Sequence, residues 1–351
     1  MCLIAAGGTA GHVRPALAVA EALRERGATV TFAGAPDRVE SQLVPEAGYE
    51  LDTFPISGFP RRPGLGLLRA LLRAARAPFA CAGILRRRRP DVVLGGGGYV
   101  AGPMVLAARL RGIPAALTEA DAHLGLANRL AAPFARRVYL AYPIAGRNGA
   151  KYRVVGRPVP PSHLGASRAD ARRRLGLPAE ASVLAVFGGL AGARALNEWA
   201  ADTYGESGPA VLHIAGARDY EDMRPRVRRD DYVLLAAAES FGDALAVADL
   251  AISRAGGTVW ELAAAGIPAI LVPYPHATAD HQALNARYFA EGGGAVVVRQ
   301  EELARIPALV EELLGDPERL RAMSEAMRAL ARPDAAHEIA DELVSFAASR
   351  G

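Results

Sequence analysis

The chain has 351 residues, 51% of them apolar and 22% charged, the balance of a soluble globular protein with room for two domains of ordinary size. No basic leader precedes the opening apolar run and no apolar stretch reaches 18 residues, so neither a signal peptide nor a membrane span is expected; the two cysteines, Cys2 and Cys81, supply neither a disulfide framework nor a metal-ligand cluster. Of 41 basic residues only Lys151 is a lysine, and it follows alanine, which excludes a Walker A loop with its Gly-Lys-Ser/Thr.

Short apolar strands alternate with helical stretches from end to end, so an α/β architecture with parallel sheets is expected. Residues 2–6, CLIAA, form the first predicted strand, followed by GGTAGH and a helix pattern. A glycine turn that opens a helix offers backbone N–H groups and the positive end of the helix dipole to an anion. Tight strand-to-helix geometry alone also asks for glycine. His12 sits at the start of that helix, where the dipole disfavours an imidazolium. A neutral ring there is a candidate general base, and a histidine that only hydrogen-bonds the turn is the bland alternative.

A strand at 28–34 follows, then residues 53–90, which carry nine arginines and no acid. Nucleic acid is a poor match for this segment, because only Phe54, Phe59 and Phe79 are available for base stacking. Its leucines at 65, 67, 68, 71 and 72 lie among Arg61, Arg62, Arg69, Arg73 and Arg76. An apolar stripe ringed by arginine suits an anionic membrane surface, and a core-facing helix with a solvated basic face is the competing reading. Strands at 91–96, 114–119, 136–142 and 152–156 complete the first half. A glycine turn at 95–98 accompanies the first of these. Residues 96–101 match a relaxed dinucleotide pattern with Glu119 downstream, but they follow several strands rather than the first.

The stretch GRPVPPSHLGASRADARRRLGLPAE, rich in proline and polar residues, reads as a linker. Domains are expected at 1–157 and 158–333, with a last helix at 334–351 returning to the first. Predicted strands of the second half lie at 182–189, 210–216, 232–237, 249–257, 268–274 and 295–298. It opens with FGGLAGARALNE, which repeats the Gly-Gly-x-Ala-Gly turn of the start. In doubly wound sheets such turns lie at the carboxyl ends of the strands, where ligands bind. Further on, Gly256, Gly257 and Thr258 open a helix carrying Glu261, a carboxylate suited to a cap or to the paired hydroxyls of a ribose. His276, Asp280, His281, Gln282 and Asn285 then crowd one loop and helix start. Their spacing fits no zinc pattern, and amides are poor metal ligands but good sugar ligands, so hydroxyl recognition is the better reading.

In chain order, GGTAGHVRPALAVAEAL, GGGYVAGP, GLANRLAAPFARRV, FGGLAGARALNE and ISRAGG…ELAAAGIPAILVPYPHATADHQALNA resemble the MurG family of glycosyltransferases, over roughly residues 3–298. The resemblance implies the GT-B fold: α/β, with two Rossmann-like doubly wound parallel-sheet domains, acceptor first and donor second, facing a central cleft. It implies inverting transfer of N-acetylglucosamine from UDP-N-acetylglucosamine to the C4 hydroxyl of undecaprenyl-pyrophosphoryl-N-acetylmuramyl pentapeptide in peptidoglycan synthesis, with no metal or other cofactor. The implied partners are the UDP-sugar donor, the lipid-linked acceptor, an anionic membrane surface at the cytoplasmic face and cell-wall synthesis proteins, with no nucleic acid. A related transferase acting on a secondary metabolite or another lipid-linked acceptor is the alternative.

The resemblance also distributes roles. His12 becomes the candidate base or an essential acceptor-side residue, and Gly8, Thr9, Gly11, Gly97, Tyr99, Glu119, Asp121 and Asn128 line the acceptor side. The donor side receives Gly189, Leu190, Gly192, Arg254, Gly256, Gly257 and Thr258, with the diphosphate at the glycine turns. Phe241 lies beside uracil, Glu261 on the ribose, and His281, Gln282 and Asn285 near the sugar. Leu67, Leu68, Arg69, Leu71, Leu72, Arg73 and Arg76 meet the membrane. Some positions depart from the family pattern: Leu190 stands where serine is usual and Ala191 where glutamine is common. Thr118-Glu119-Ala120-Asp121 replaces His-Glu-Gln-Asn, and Pro160 replaces an arginine, with Arg157 three residues earlier as a candidate substitute.

Overall fold

The computed structural model describes residues 1–58, 64–188 and 193–349, leaving aside the side chains of Leu65, Leu67 and Leu71. Two compact units divide it: Met1–Pro160 with the chain from Arg332, and Pro161–Ala331. In unit 1 the strands are β1 (Cys2–Ala6), β2 (Val30–Gly34), β3 (Glu50–Thr53), β4 (Val92–Gly97), β5 (Ala115–Glu119), β6 (Arg137–Leu140) and β7 (Tyr152–Val154). Its first helices are α1 (Ala10–Glu25), α2 (Glu40–Glu46), α3 (Leu65–Arg88), α4 (Ala101–Leu110) and α5 (Leu126–Ala131). The sheet is parallel with order β3-β2-β1-β4-β5-β6-β7, and Ile4 stands opposite both Phe32 and Leu94. Helices cover both faces, which is why CLIAA and VVLGGG are apolar or glycine throughout instead of alternating with polar residues.

One strand escapes the sequence pattern. β3 reads ELDT, partly exposed, and exists because it pairs with β2 at the sheet edge, not because its own residues favour a buried strand.

Unit 2 repeats the plan. Its strands are β8 (Val183–Phe187), β9 (Ala210–Ile214), β10 (Tyr232–Leu235), β11 (Leu250–Ser253), β12 (Ala269–Leu271) and β13 (Ala295–Val297), in parallel order β10-β9-β8-β11-β12-β13. Its helices are α6 (Arg168–Leu175), α7 (Arg194–Tyr204), α8 (Tyr220–Met223), α9 (Phe241–Val247), α10 (Thr258–Ala265), α11 (His281–Glu291), α12 (Ile306–Leu314) and α13 (Pro317–Leu330). A last helix, α14 (Ala335–Ala348), belongs to unit 1. Strand order therefore reverses between β1 and β4 in one sheet and between β8 and β11 in the other. Such a reversal leaves a crevice at the carboxyl ends of the two diverging strands.

Two apolar layers flank the sheet of unit 1. Leu3, Ala5 and Val93 pack against Ala77, Cys81 and Ile84 of α3 and Met104 and Val105 of α4. On the other face Ile4, Ala6 and Leu94 meet Val13, Val19 and Leu23 of α1 and Ile339, Leu343 and Phe346 of α14. Each of those last three side chains contributes about 1.5–3 kcal/mol by burial. Ion pairs from Arg26 to Asp341 and from Arg153 to Glu338 fix the rim of α14. Both cysteines are buried, and burial pushes each thiol up to about 12, so neither is a nucleophile at neutral pH.

Candidate functional site

At the switch point of unit 1, two glycine turns and one histidine interlock. Gly8 takes a φ of +89° and its N–H donates to Glu40 Oε2 at 2.9 Å. Glu40 is fully buried, and its other oxygen accepts from the Ala35 N–H at 2.9 Å, so one carboxylate ties the turn after β1 to the end of β2. A Cβ on Gly7 would stand 2.2 Å from Glu40 Oε1, so a side chain there would displace the buried carboxylate. Thr9 precedes α1 in extended geometry, and its side chain makes no cap hydrogen bond. Its hydroxyl lies instead 3.1 Å from Nδ1 of His12. The His12 ring covers the turn after β4: a Cβ on Gly97 would meet its Cδ2 at 2.6 Å, and both Gly97 and Gly98 have positive φ. Tyr99 packs on Gly8 from the same turn, and burial raises its phenol above the ordinary value.

Glu119 ends β5 buried and works as a bracket. It accepts from the N–H of Gly125 and from Nδ2 of Asn128, each at 2.9 Å, and from the N–H of Asp121 at 3.3 Å. Burial pushes its carboxyl up despite those donors. Asn128 also donates to the Thr118 carbonyl at 2.9 Å. These two residues, expected on the acceptor side, are spent on shaping the loop that carries Asp121. Arg157 is likewise buried in unit 1, with Nη2 donating to the Gly11 carbonyl at 2.6 Å and Nη1 to the Ala120 carbonyl at 3.5 Å. Arg157, the candidate substitute for the arginine missing at Pro160, thus has its guanidinium engaged by two carbonyls of unit 1.

In unit 2 the turn after β11 is open. A Cβ on Gly256 would meet nothing within 4 Å, so the fold itself does not demand glycine there; a ligand approaching the backbone would. Gly257 precedes α10 without a side-chain cap, and although the Val259 and Trp260 N–H groups bond back to the carbonyls of Gly256 and Gly257, the positive end of the helix dipole at Thr258 suits an anion. Asn285 is buried on α11 and donates to the Ala255 carbonyl at 3.1 Å, bracing this turn. Gln282 accepts from the Tyr274 N–H at 2.9 Å, and His281 Nδ1 lies 2.8 Å from the Thr278 carbonyl.

Glu261, in the first turn of α10, is bonded at Oε1 by Nδ1 of His163 at 2.8 Å. Phe241 begins α9 with its ring edge-on to both Phe187 and His163. Arg254, expected at the donor, ends the segment that leads into the turn after β11. Its guanidinium is buried and donates to the carbonyls of Val272 and Pro273 and to Gln300, and burial lowers its pKa. Gly189, Leu190 and Gly192 lie outside the described residues. A cleft of about 510 Å³ runs from His163 and Gly242 to Asp249 and Gly266, which precede β11 and β12; it contains none of the glycine-turn residues.

Helix α3 turns two different faces outward and inward. Ala70, Ala77, Cys81 and Ile84 are buried, while Leu68, Leu72 and Phe79 are 54%, 52% and 80% exposed on the opposite side. Arg69, Arg73 and Arg76 flank that exposed stripe and are exposed themselves. Leu110 of α4 and Leu126 and Leu130 of α5 are exposed as well, and no motif had marked them. Among the described residues, no helix is long and apolar enough to cross a membrane, and no group of three or more His, Cys, Asp or Glu is placed to hold a metal ion.

Comparison with known proteins agrees with this fold. Residues 2–140 match the glycosyltransferase family 28 N-terminal domain and residues 183–339 its C-terminal domain. The chain is 43% identical to the UDP-N-acetylglucosamine--N-acetylmuramyl-(pentapeptide) pyrophosphoryl-undecaprenol N-acetylglucosamine transferase of Rubrobacter xylanophilus, covering 93% of this chain and 98% of that protein. The enzyme of the same name from Halorhodospira halophila is also 43% identical, over 96% of each. Among solved structures, Acinetobacter baumannii MurG superimposes with a TM-score of 0.77 at 30% identity, covering 98% of this chain and 99% of that one. The calicheamicin glycosyltransferase CalG4, at a TM-score of 0.70 and 20% identity, covers 98% of each and shares the GT-B fold alone. The chain is a member of glycosyltransferase family 28, in its MurG branch.

Proposed function

We propose that this chain is an inverting transferase that moves N-acetylglucosamine from UDP-N-acetylglucosamine to the C4 hydroxyl of undecaprenyl-pyrophosphoryl-N-acetylmuramyl pentapeptide. One observation carries the reading: a glycine turn followed by a helix without a side-chain cap stands at the switch point of each sheet, in a chain 43% identical to relatives named for that transfer. Two anion-ready turns suit a reaction in which both substrates carry a diphosphate.

In this reading His12 takes the proton of the acceptor hydroxyl as its oxygen attacks the anomeric carbon. The bond to the diphosphate breaks on the opposite face, and UDP leaves with the electron pair. The Thr9 hydroxyl, accepting from Nδ1–H, holds the tautomer whose basic lone pair is on Nε2. Backbone N–H groups at Gly256 and Gly257 and the amino end of α10 stabilise the departing diphosphate, in the manner of an oxyanion hole. Glu261 takes the ribose hydroxyls and Phe241 sits beside uracil. No metal or organic cofactor enters this scheme.

The same reading places the enzyme on the cytoplasmic face of the membrane through α3. Leu68, Leu72 and Phe79 would enter the headgroup region, with Arg69, Arg73 and Arg76 meeting anionic lipid and the leucines of α4 and α5 widening the contact. The decisive assay is transfer of radiolabel from UDP-N-acetylglucosamine to the lipid-linked muramyl pentapeptide, run beside other nucleotide sugars and soluble acceptors. Product with the lipid-linked acceptor is expected. Transfer only to a soluble acceptor would overturn the reading.

A further inference from the structure

We infer that His163 is a positioning residue for the donor nucleoside: it holds the Glu261 carboxylate in one orientation and thereby makes unit 2 prefer a ribonucleotide over its 2′-deoxy counterpart. The inference rests on the reading of Glu261 as the ribose ligand. A carboxylate can only accept hydrogen bonds, so the 2.8 Å contact requires Nδ1 of His163 to donate to Oε1. That bond engages one of roughly four lone-pair sites on the carboxylate and leaves acceptor capacity for a cis-diol. Both side chains are largely buried, so the bond is shielded from water and its direction is defined.

Three further contacts show how the fold holds the imidazole in place. His163 closes a single 3-10 turn, Pro161–His163, in which proline limits the backbone. The turn is pressed against the start of α9, where a Cβ on Gly242 would stand 2.8 Å from the Ser162 carbonyl. The ring meets Phe241 edge-on at 5.3 Å between centroids, and Phe241 meets Phe187 at 5.5 Å. His163 therefore touches the aromatic residue proposed for the base and the acid proposed for the ribose. A histidine at this point of a proline-rich connection couples the two halves of nucleoside recognition.

The test is calorimetric binding of UDP and 2′-deoxy-UDP to the full chain and to its H163F, H163N and E261Q variants. Phenylalanine keeps the ring contact with Phe241 and removes the donor, whereas asparagine keeps a donor near the position of Nδ1. The unaltered chain should prefer UDP by about tenfold, as one hydrogen bond to a charged group predicts. H163F should lose most of that preference while its affinity for 2′-deoxy-UDP changes less than about threefold, and H163N should retain it. Full preference in H163F would make His163 a mere strut and overturn the inference alone. Equal binding of the two nucleotides by the unaltered chain, or by contrast an unaffected preference in E261Q, would remove Glu261 from the ribose and overturn both readings.

Discussion

Arg157 Nη2 donates to the carbonyl oxygen of Gly11 at 2.6 Å, so the chain just after β7 is fastened to the residue that precedes His12. The same guanidinium reaches the Ala120 carbonyl at 3.5 Å, and a lysine ammonium cannot span both acceptors from one position. Arg157→Ala should lower unfolding stability by about 2 kcal/mol, since charge-assisted bonds in a buried setting contribute about 1.5–3 kcal/mol each. Turnover should fall by about tenfold as α1 loosens beneath His12, with Arg157→Lys intermediate. Denaturant midpoints and kcat measured on the same preparations check this; an alanine variant as stable and active as the parent would remove the clamp.

His12→Ala should reduce kcat by about 10²–10⁴-fold, the range general-base catalysis supplies. UDP affinity should stay within about twofold of the parent, because His12 stands in unit 1 and the proposed nucleotide ligands stand in unit 2. Thr9→Val, which removes the hydroxyl 3.1 Å from Nδ1, should give a smaller loss in kcat, about tenfold. A large loss of UDP binding in His12→Ala would transfer the residue to the donor.

Replacing Arg69, Arg73 and Arg76 together by glutamate should abolish sedimentation with anionic vesicles. Each basic residue near such a surface contributes about 1 kcal/mol, and reversal adds repulsion to that loss. Leu68→Ser with Phe79→Ser should weaken binding to neutral vesicles too, where charge plays no part. Unchanged sedimentation of the triple variant would detach this helix from the membrane.

His213 provides a pH signature. It is buried between the Tyr232 hydroxyl at 2.8 Å and Asn197 Oδ1 at 3.1 Å, and burial lowers its pKa from 6.5 to about 4. Between those values the unfolded chain binds a proton that the folded chain refuses. Stability from this group is therefore complete above about pH 6.5 and is lost progressively as pH falls toward 4, by roughly 3 kcal/mol at most. His213→Gln should flatten that part of the stability profile relative to the parent. Parallel profiles from pH 7 to 4 would show that the ring does not titrate as stated.

The strands that carry their own apolar pattern were legible in the sequence. The apolar runs of β1 and β8, the glycine turns after β1, β4 and β11 and the position of His12 at the start of α1 follow from local pattern. β3 did not, because Glu50 and Asp52 gain their strand geometry only from β2 beside them. Glu40 carries the turn after β1 from 32 residues away, inside no motif, and only its buried hydrogen bonds reveal it. His163 was passed over as part of a linker. For Arg254 the residue type alone did not show that the carbonyls of Val272 and Pro273 hold its guanidinium.

Helix α14 gives the molecule an order of assembly. Unit 1 is discontinuous, since its apolar face around Val13, Val19 and Leu23 is completed by Ile339, Leu343 and Phe346 from the far end of the chain. On the ribosome, the chain after Pro160 takes about 10–40 s to emerge at roughly 5–20 residues per second. For that interval the nascent N-terminal segment displays an apolar surface with its cover still unsynthesised, while unit 2 is contiguous and completes itself first.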